Sequence, residues 1–137
     1  MAISTSSVAH VRLTVTDIER SRQFYESVFG WPILIELPQD ADATTRARLG
    51  FLYGGVIYDA GATLIGLRPV GRDMFDENRT GLDHLAFRLR SLEELNDAVQ
   101  HLDDLGIEHE PVKDIGPSHI LEFRDPDNIA LELTAPK

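Results

Sequence analysis

Apolar and polar residues alternate most regularly in Gly81–Leu89, where Leu85, Phe87 and Leu89 are interleaved with His84, Ala86 and Arg88. Alternation of period two sends successive side chains to opposite faces, so it predicts a strand with His84 on the polar face. The same design stands 74 residues earlier: in Val8–Val15, Ala9, Val11, Leu13 and Val15 face one way and His10, Arg12 and Thr14 the other. After that strand, Thr16 and Glu19 fit a capping box, with Asp17 as an alternative N-cap, and Ile18, Tyr25 and Val28 recur at helical spacing before Gly30 closes the helix. Trp31–Leu37 reads as a strand ended by Pro38, and 39–45 as an exposed polar loop. Residues 47–58 and 62–68 read as strands about a turn at Asp59-Ala60-Gly61. The first half is thus βαβββ.

The second half repeats it. Ser91 and Glu94 suggest another cap, and Leu92, Leu95, Val99 and Leu102 form an apolar stripe of helical period that Gly106 ends. Strands follow at about 107–113, 118–124 and 129–134. Asp59 and Asp125 each open the turn before a final strand. The expected organisation is one domain over 1–137. It has a first module at 7–70, a linker at 71–80 that lacks periodicity, and a second module at 81–137. The fold class is α+β, with two tandem βαβββ modules.

Composition removes several chemistries. The chain has no Cys, which excludes disulfides, thiolate metal sites and cysteine nucleophiles and suits a cytoplasmic setting. Met1–Ser7 has neither a basic region nor an apolar run, so no secretory leader is expected. No apolar stretch approaches the ~20 residues that cross a bilayer. The net charge of −10 opposes binding to nucleic acid or anionic lipid. Arg12, Arg68 and Arg88 remain candidates for a local anion pocket. There is no nucleophile–His–acid arrangement and no phosphate-binding Gly loop.

The segments His10–Asp17, Phe24–Gly30 and Phe123–Leu133 resemble the vicinal oxygen chelate superfamily of glyoxalases, bleomycin-resistance proteins and extradiol dioxygenases, which also includes fosfomycin-modifying enzymes and methylmalonyl-CoA epimerase. The resemblance spans nearly the whole chain. It implies curled sheets that pair into a metal-bearing cup, with ligands on the first and last strand of each module. Those positions hold His10, His84 and Glu132; the fourth holds Gly66, an open coordination position, against the four-ligand site of glyoxalase I. The pattern of the final strand agrees. Ile129, Leu131 and Leu133 are core-like, so Glu132 faces the other side, where a divalent cation would satisfy a carboxylate set opposite two imidazoles.

Two His and one carboxylate match the facial triad of non-haem iron sites; Fe, Mn, Zn, Ni or Co would suit the same set. The bland reading is a metal-free relative in which the His bond to carboxylates. His119 is a candidate second-sphere or substrate residue, or else an edge histidine; Tyr53 lines the cup or packs on the sheet. Tyr58 has the same two readings, with packing favoured for both; Tyr25 fits the helix core, His101 and His109 read as surface residues, and Glu122 as solvent- or cavity-facing. The function expected is a metal-dependent, dioxygenase-like enzyme acting on a small substrate through neighbouring oxygens, as a homodimer. The alternatives are a lyase or transferase of the glyoxalase or fosfomycin type and a metal-free small-molecule-binding protein.

Overall fold

The computed structural model describes residues 1–137. It divides into two units, Met1–Arg72 and Asp73–Lys137. The elements of the first are β1 (His10–Thr14), α1 (Ile18–Val28), β2 (Ile33–Glu36), α2 (Ala43–Arg48), β3 (Val56–Asp59) and β4 (Leu64–Arg68). Those of the second are β5 (Leu85–Arg88), α3 (Leu92–Asp104), β6 (Lys113–Asp114), β7 (Ser118–Arg124) and β8 (Ala130–Pro136). Each unit holds one four-stranded mixed sheet, ordered β1-β4-β3-β2 and β5-β8-β7-β6. The α+β architecture expected from the repeat is therefore present.

In the first unit β1 runs parallel to β4, with Arg12 opposite Gly66 and Thr14 opposite Arg68. The pleat buries Leu13, Val15, Ile65, Leu67, Val56 and Tyr58 on one face. Fully buried Tyr25 of α1 packs there beside Trp31, and the Trp31 ring lies 6.1 Å from that of Tyr58. The Tyr58 hydroxyl donates to Glu26 at 2.8 Å, and Arg22 bridges Glu26 and Glu36, each at 2.9 Å. In the second unit β5 is parallel to β8, with Ala86 opposite Glu132 and Arg88 opposite Thr134. Leu121, Phe123, Leu131, Leu133 and Ala135 form the buried face, with Leu95 and Leu102 of α3 also buried.

The helix caps follow the sequence closely. Asp17, rather than Thr16, caps α1 by accepting from the Arg20 N–H at 3.1 Å. Ser91 caps α3 by accepting from the Glu94 N–H, while Glu94 reaches back to the Arg90 N–H at 2.8 Å, one residue beyond the usual reciprocal bond.

Three stretches depart from expectation. Residues 43–52 are helical rather than loop and strand: Asp42 caps α2 by accepting from the Thr45 N–H at 2.8 Å, and a 3₁₀ turn follows at Gly50–Leu52. The apolar run that reads as one strand is cut by Tyr53 in the left-handed region (φ 53°), Gly54 (φ 81°) and Gly55. At Gly55 a Cβ would sit 1.9 Å from the Leu67 carbonyl oxygen, so only glycine lets the chain lie so close on β4. Along 107–113 a single bridge joins His109 to Phe123, and pairing resumes only in β6. Residues 73–80, within the expected linker, belong to the second unit. The Phe75 N–H donates to Asp127 O at 2.9 Å, and Arg124 holds Glu77 by two bonds of 2.8 and 2.9 Å, which draws the Glu77 pKa down to about 2. No helix is long and apolar enough to cross a membrane.

Candidate functional site

His84, the residue just before β5, and Glu132 of β8 lie on the face away from α3. His84 lies one pleat before Ala86, the residue opposite Glu132, and its Nε2 stands 3.5 Å from Glu132 Oε2. The other ring nitrogen, Nδ1, is 2.6 Å from Asp83 Oδ1. The bond to Asp83, and then the charge of Glu132, hold the His84 pKa above its usual value against the effect of desolvation. If neutral His84 donates from Nδ1 to Asp83, a lone pair on Nε2 faces the carboxylate of Glu132. Two acceptors at that distance repel unless a proton or a cation lies between them. The gap is close to the roughly 3–3.4 Å that separates two atoms bound to one ion at ~2.1 Å, and a carboxylate behind the ligating imidazole is the usual support for a metal ligand. The pair His84 and Glu132 therefore accommodates either a shared proton or a divalent cation.

Electrostatics points the same way. Glu122 lies directly opposite Glu132 in the β7–β8 ladder. Like charges so placed are destabilising; Lys113, 3.1 Å from Glu122, offsets part of this. Glu77, Asp83, Glu122 and Arg124 line the same depression as His84 and Glu132, with a volume of about 120 Å³.

On the first unit the corresponding face carries His10, Arg12 and Arg68. His10 is exposed and lines a cavity of about 210 Å³ with Arg12, Phe51, Ile57, Leu64 and Gly66. The Arg12 guanidinium donates to the Phe51 carbonyl and lies 5.7 Å from that ring's centroid; Arg68 sits 4.4 Å from the centroid of Tyr53.

The predicted site residues thus fall into four groups. His84 and Glu132 are brought together. His10 belongs to the first unit, and neither unit alone gathers three His, Asp or Glu side chains in metal-binding geometry. Arg12, Arg68 and Tyr53 share one face, while Arg88 is exposed on the face of Glu132.

Two expectations need correction. Gly66 is not an open position: a Cβ there would meet Arg12 Cγ at 3.1 Å, so the stem of Arg12 already covers it. His119 alternates with Glu122 and shares the face of Leu121 and Phe123, the opposite side of the sheet from Glu132, with Nε2 3.9 Å from Asp114. A second-sphere role for it has no support from this placement. Asp83 and Phe51 are the residues that sequence reasoning missed. The Asp-His dipeptide was a readable signal for the first. Phe51 was hidden by the strand assigned across it.

The family model for the Glyoxalase/Bleomycin resistance protein/Dioxygenase superfamily matches residues 7–133. An uncharacterized protein, YwkD, of Bacillus subtilis (strain 168) is 29% identical over 129 residues, which cover 93% of this chain and 94% of that protein. Among solved structures, a glyoxylase/bleomycin resistance protein/dioxygenase domain from Frankia sp. EAN1pec is 31% identical with a TM-score of 0.75, covering 98% of this chain and 94% of that one. A mutant of the fosfomycin resistance protein FosX from Listeria monocytogenes, complexed with Mn(II) and 1S,2S-dihydroxypropylphosphonic acid, has a TM-score of 0.74 at 21% identity. That match covers 98% of this chain and 95% of the other, and it speaks for the fold alone. With a model match over most of its length, the chain belongs to the glyoxalase/bleomycin resistance protein/dioxygenase superfamily.

Proposed function

We propose that this chain is a metal-dependent enzyme that acts on a small molecule presenting two neighbouring oxygens, with His10, His84 and Glu132 as the metal ligands. The observation that carries the reading is the 3.5 Å approach of His84 Nε2 to Glu132 Oε2 with Nδ1 held by Asp83. The Mn(II) in the FosX complex lends support, since a protein of the same fold holds a divalent ion. When bound, such an ion supplies Lewis acidity and a template for the substrate's oxygens. The chain's own residues do the rest. Asp83 fixes the tautomer and orientation of His84, and Glu132 contributes the negative charge that a dication requires. Two His and one carboxylate are the donor set of the dioxygenase-like branch. The ligands belong to different units, and we propose that they meet in a homodimer, each of whose two sites draws on both chains.

A second reading rests on the same atoms. A protonated His84 would bridge Asp83 and Glu132 without metal, as suits a small-molecule-binding protein. Titration of chelator-treated protein with Mn(II) separates the two. About one ion per chain is expected, with most of the affinity lost in Glu132→Gln and in His10→Ala, in a species that sediments as a dimer. Protein that takes up no ion favours the metal-free reading, and full occupancy in the variants rules out this ligand set.

A further inference from the structure

We infer that the outer face of the first unit is an oxyanion subsite, so that the substrate is a small organic acid; this deepens the proposal above and rests on it for treating the face of His10 as the substrate face. The inference starts from charge. In a chain of net charge −10, six of the thirteen basic side chains, Arg22, Arg79, Arg90, Lys113, Arg124 and Lys137, have a carboxylate within 3.1 Å. Arg12 and Arg68 do not. Their contacts are with a carbonyl and two aromatic rings, which leave much of each guanidinium's donor capacity unused.

Both arginines are held by one short strap, Phe51-Leu52-Tyr53. Leu52 is 1% exposed and anchors the strap in the core, while Phe51 and Tyr53 turn outward at 46% and 57%. The strap is expensive to build. Tyr53 adopts a left-handed conformation that aromatic residues seldom take, and Gly55 lies on the Leu67 carbonyl where no side chain would fit. Gly66 completes the arrangement by leaving room for the Arg12 stem. Register makes Arg12 and Arg68 diagonal neighbours on the same face, since Thr14 is opposite Arg68. Such positions lie within reach of one ligand.

The chemistry of the ligand follows from the walls. The cavity of about 210 Å³ beside Arg12 is lined by Phe51, Ile57 and Leu64 as well as His10. A guanidinium fork recognises a planar carboxylate through paired hydrogen bonds and accepts phosphorus oxyanions as well. Apolar walls next to it suit an acid with a compact hydrocarbon or aromatic body. They do not suit a polyanion.

Calorimetric titration of the intact protein at low salt tests this with benzoate, its neutral isostere benzamide, and inorganic phosphate. Benzoate is expected to bind at least about tenfold more tightly than benzamide. Arg12→Gln and Arg68→Gln are each expected to weaken it about tenfold at an unchanged melting temperature. Phosphate binding more tightly than benzoate, and lost in the same variants, would assign a phosphorus oxyanion in place of a carboxylate. If Arg12→Gln lowers the melting temperature, Arg68→Gln, which leaves the Gly66 contact intact, decides. Equal binding of benzoate and benzamide, unchanged affinity in Arg68→Gln, or no oxyanion binding up to about 50 mM overturns the inference. Mn(II) titration of the same samples keeps the two proposals apart. Lost oxyanion binding with metal uptake intact sinks the subsite alone. Absent metal uptake with oxyanion binding intact sinks the metal reading alone.

Discussion

At the middle of the parallel β1–β4 ladder the first unit pairs Arg12 with Gly66; at the equivalent place in β5–β8 the second unit pairs Ala86 with Glu132. Each pair has one long charged side chain and one small partner that makes room for it. The long residue comes from the first strand in one unit and from the last strand in the other, and its charge is reversed. The surroundings follow suit. The first unit has seven basic and seven acidic side chains, whereas the second has six basic and sixteen acidic, so the whole net charge of −10 resides in the second. One topology thus carries two electrostatic surfaces. One is neutral overall with exposed guanidinium groups. The other is acidic and carries His84 and Glu132, the proposed metal ligands. The comparison teaches that the repeat duplicated a scaffold, and that chemistry was assigned by which strand supplies the long residue at a shared slot.

The sharpest way to break this contrast is to remove the support of the proposed cation-binding face. Asp83→Asn keeps the shape of the side chain but takes away the charge behind His84 Nδ1. Loss of such a supporting carboxylate typically costs 10–100-fold in metal affinity, or about 1.4–2.7 kcal/mol. The expected outcome is a drop of that size in Mn(II) affinity. Mn(II) affinity within about twofold of wild type in Asp83→Asn would mean that the acidic face is ordinary surface charge and that the two units do not differ in the proposed way.

Much of this was legible in the chain. Period-two alternation located both His-bearing strands, and β7 and β8 fall close to their expected limits because each buries one full face. The helices were legible from their stripes and caps. What failed was local. Residues 43–45 read as polar loop and 47–52 as part of a strand, but the Asp42 cap and the left-handed Tyr53 decide the backbone, and neither is a periodic signal. Gly66 was found by position, yet its reason, the stem of Arg12, lies across a register that sequence does not print. His119 was given a site role from its strand. The pleat then put it on the helix side, one residue out of phase with Glu122.

The slot itself can be tested by swapping its occupants. Gly→Ala in a strand normally stabilises by roughly 0.5–1 kcal/mol. At Gly66 the added methyl would meet Arg12 Cγ at 3.1 Å, so part of that gain is spent on moving Arg12. In an Arg12→Ala background the first unit would have two small residues at the slot, and the obstruction disappears. Gly66→Ala is therefore expected to be more favourable by about 1 kcal/mol in Arg12→Ala than in wild type, a coupling of the size seen for residues in contact. Urea midpoints of the four proteins measure it. Additivity within about 0.3 kcal/mol would show that Gly66 is not there for Arg12, and the parallel between the two slots would fall.

The smallest expected effect separates the units by pH. In the first unit the polar link between helix and sheet is Tyr58, Glu26 and Arg22, and burial together with the bond to Glu26 raises the Tyr58 pKa, so these charges stay fixed between pH 6 and 9. The second unit uses a titrating group. His109, with its side chain 14% exposed, lies 2.7 Å from both the Glu110 carbonyl and Asp103 at the end of α3. Two acceptors require two ring protons, and these contacts, the carbonyl first and then Asp103, raise the His109 pKa above its usual value. Glu108, Glu110 and Glu122 face the same depression along with Arg124, so the acidic surroundings oppose loss of the proton. A raised folded pKa means that the stabilisation is complete below the unfolded value near 6.5 and is lost as pH rises through the folded value. Because Asp103 is half exposed, we expect only about 0.5–1 kcal/mol. The urea stability of wild type should therefore fall between pH 6 and 9 by that much more than the stability of His109→Gln. Parallel pH dependence in the two proteins would show that His109 is bound no differently from a surface histidine.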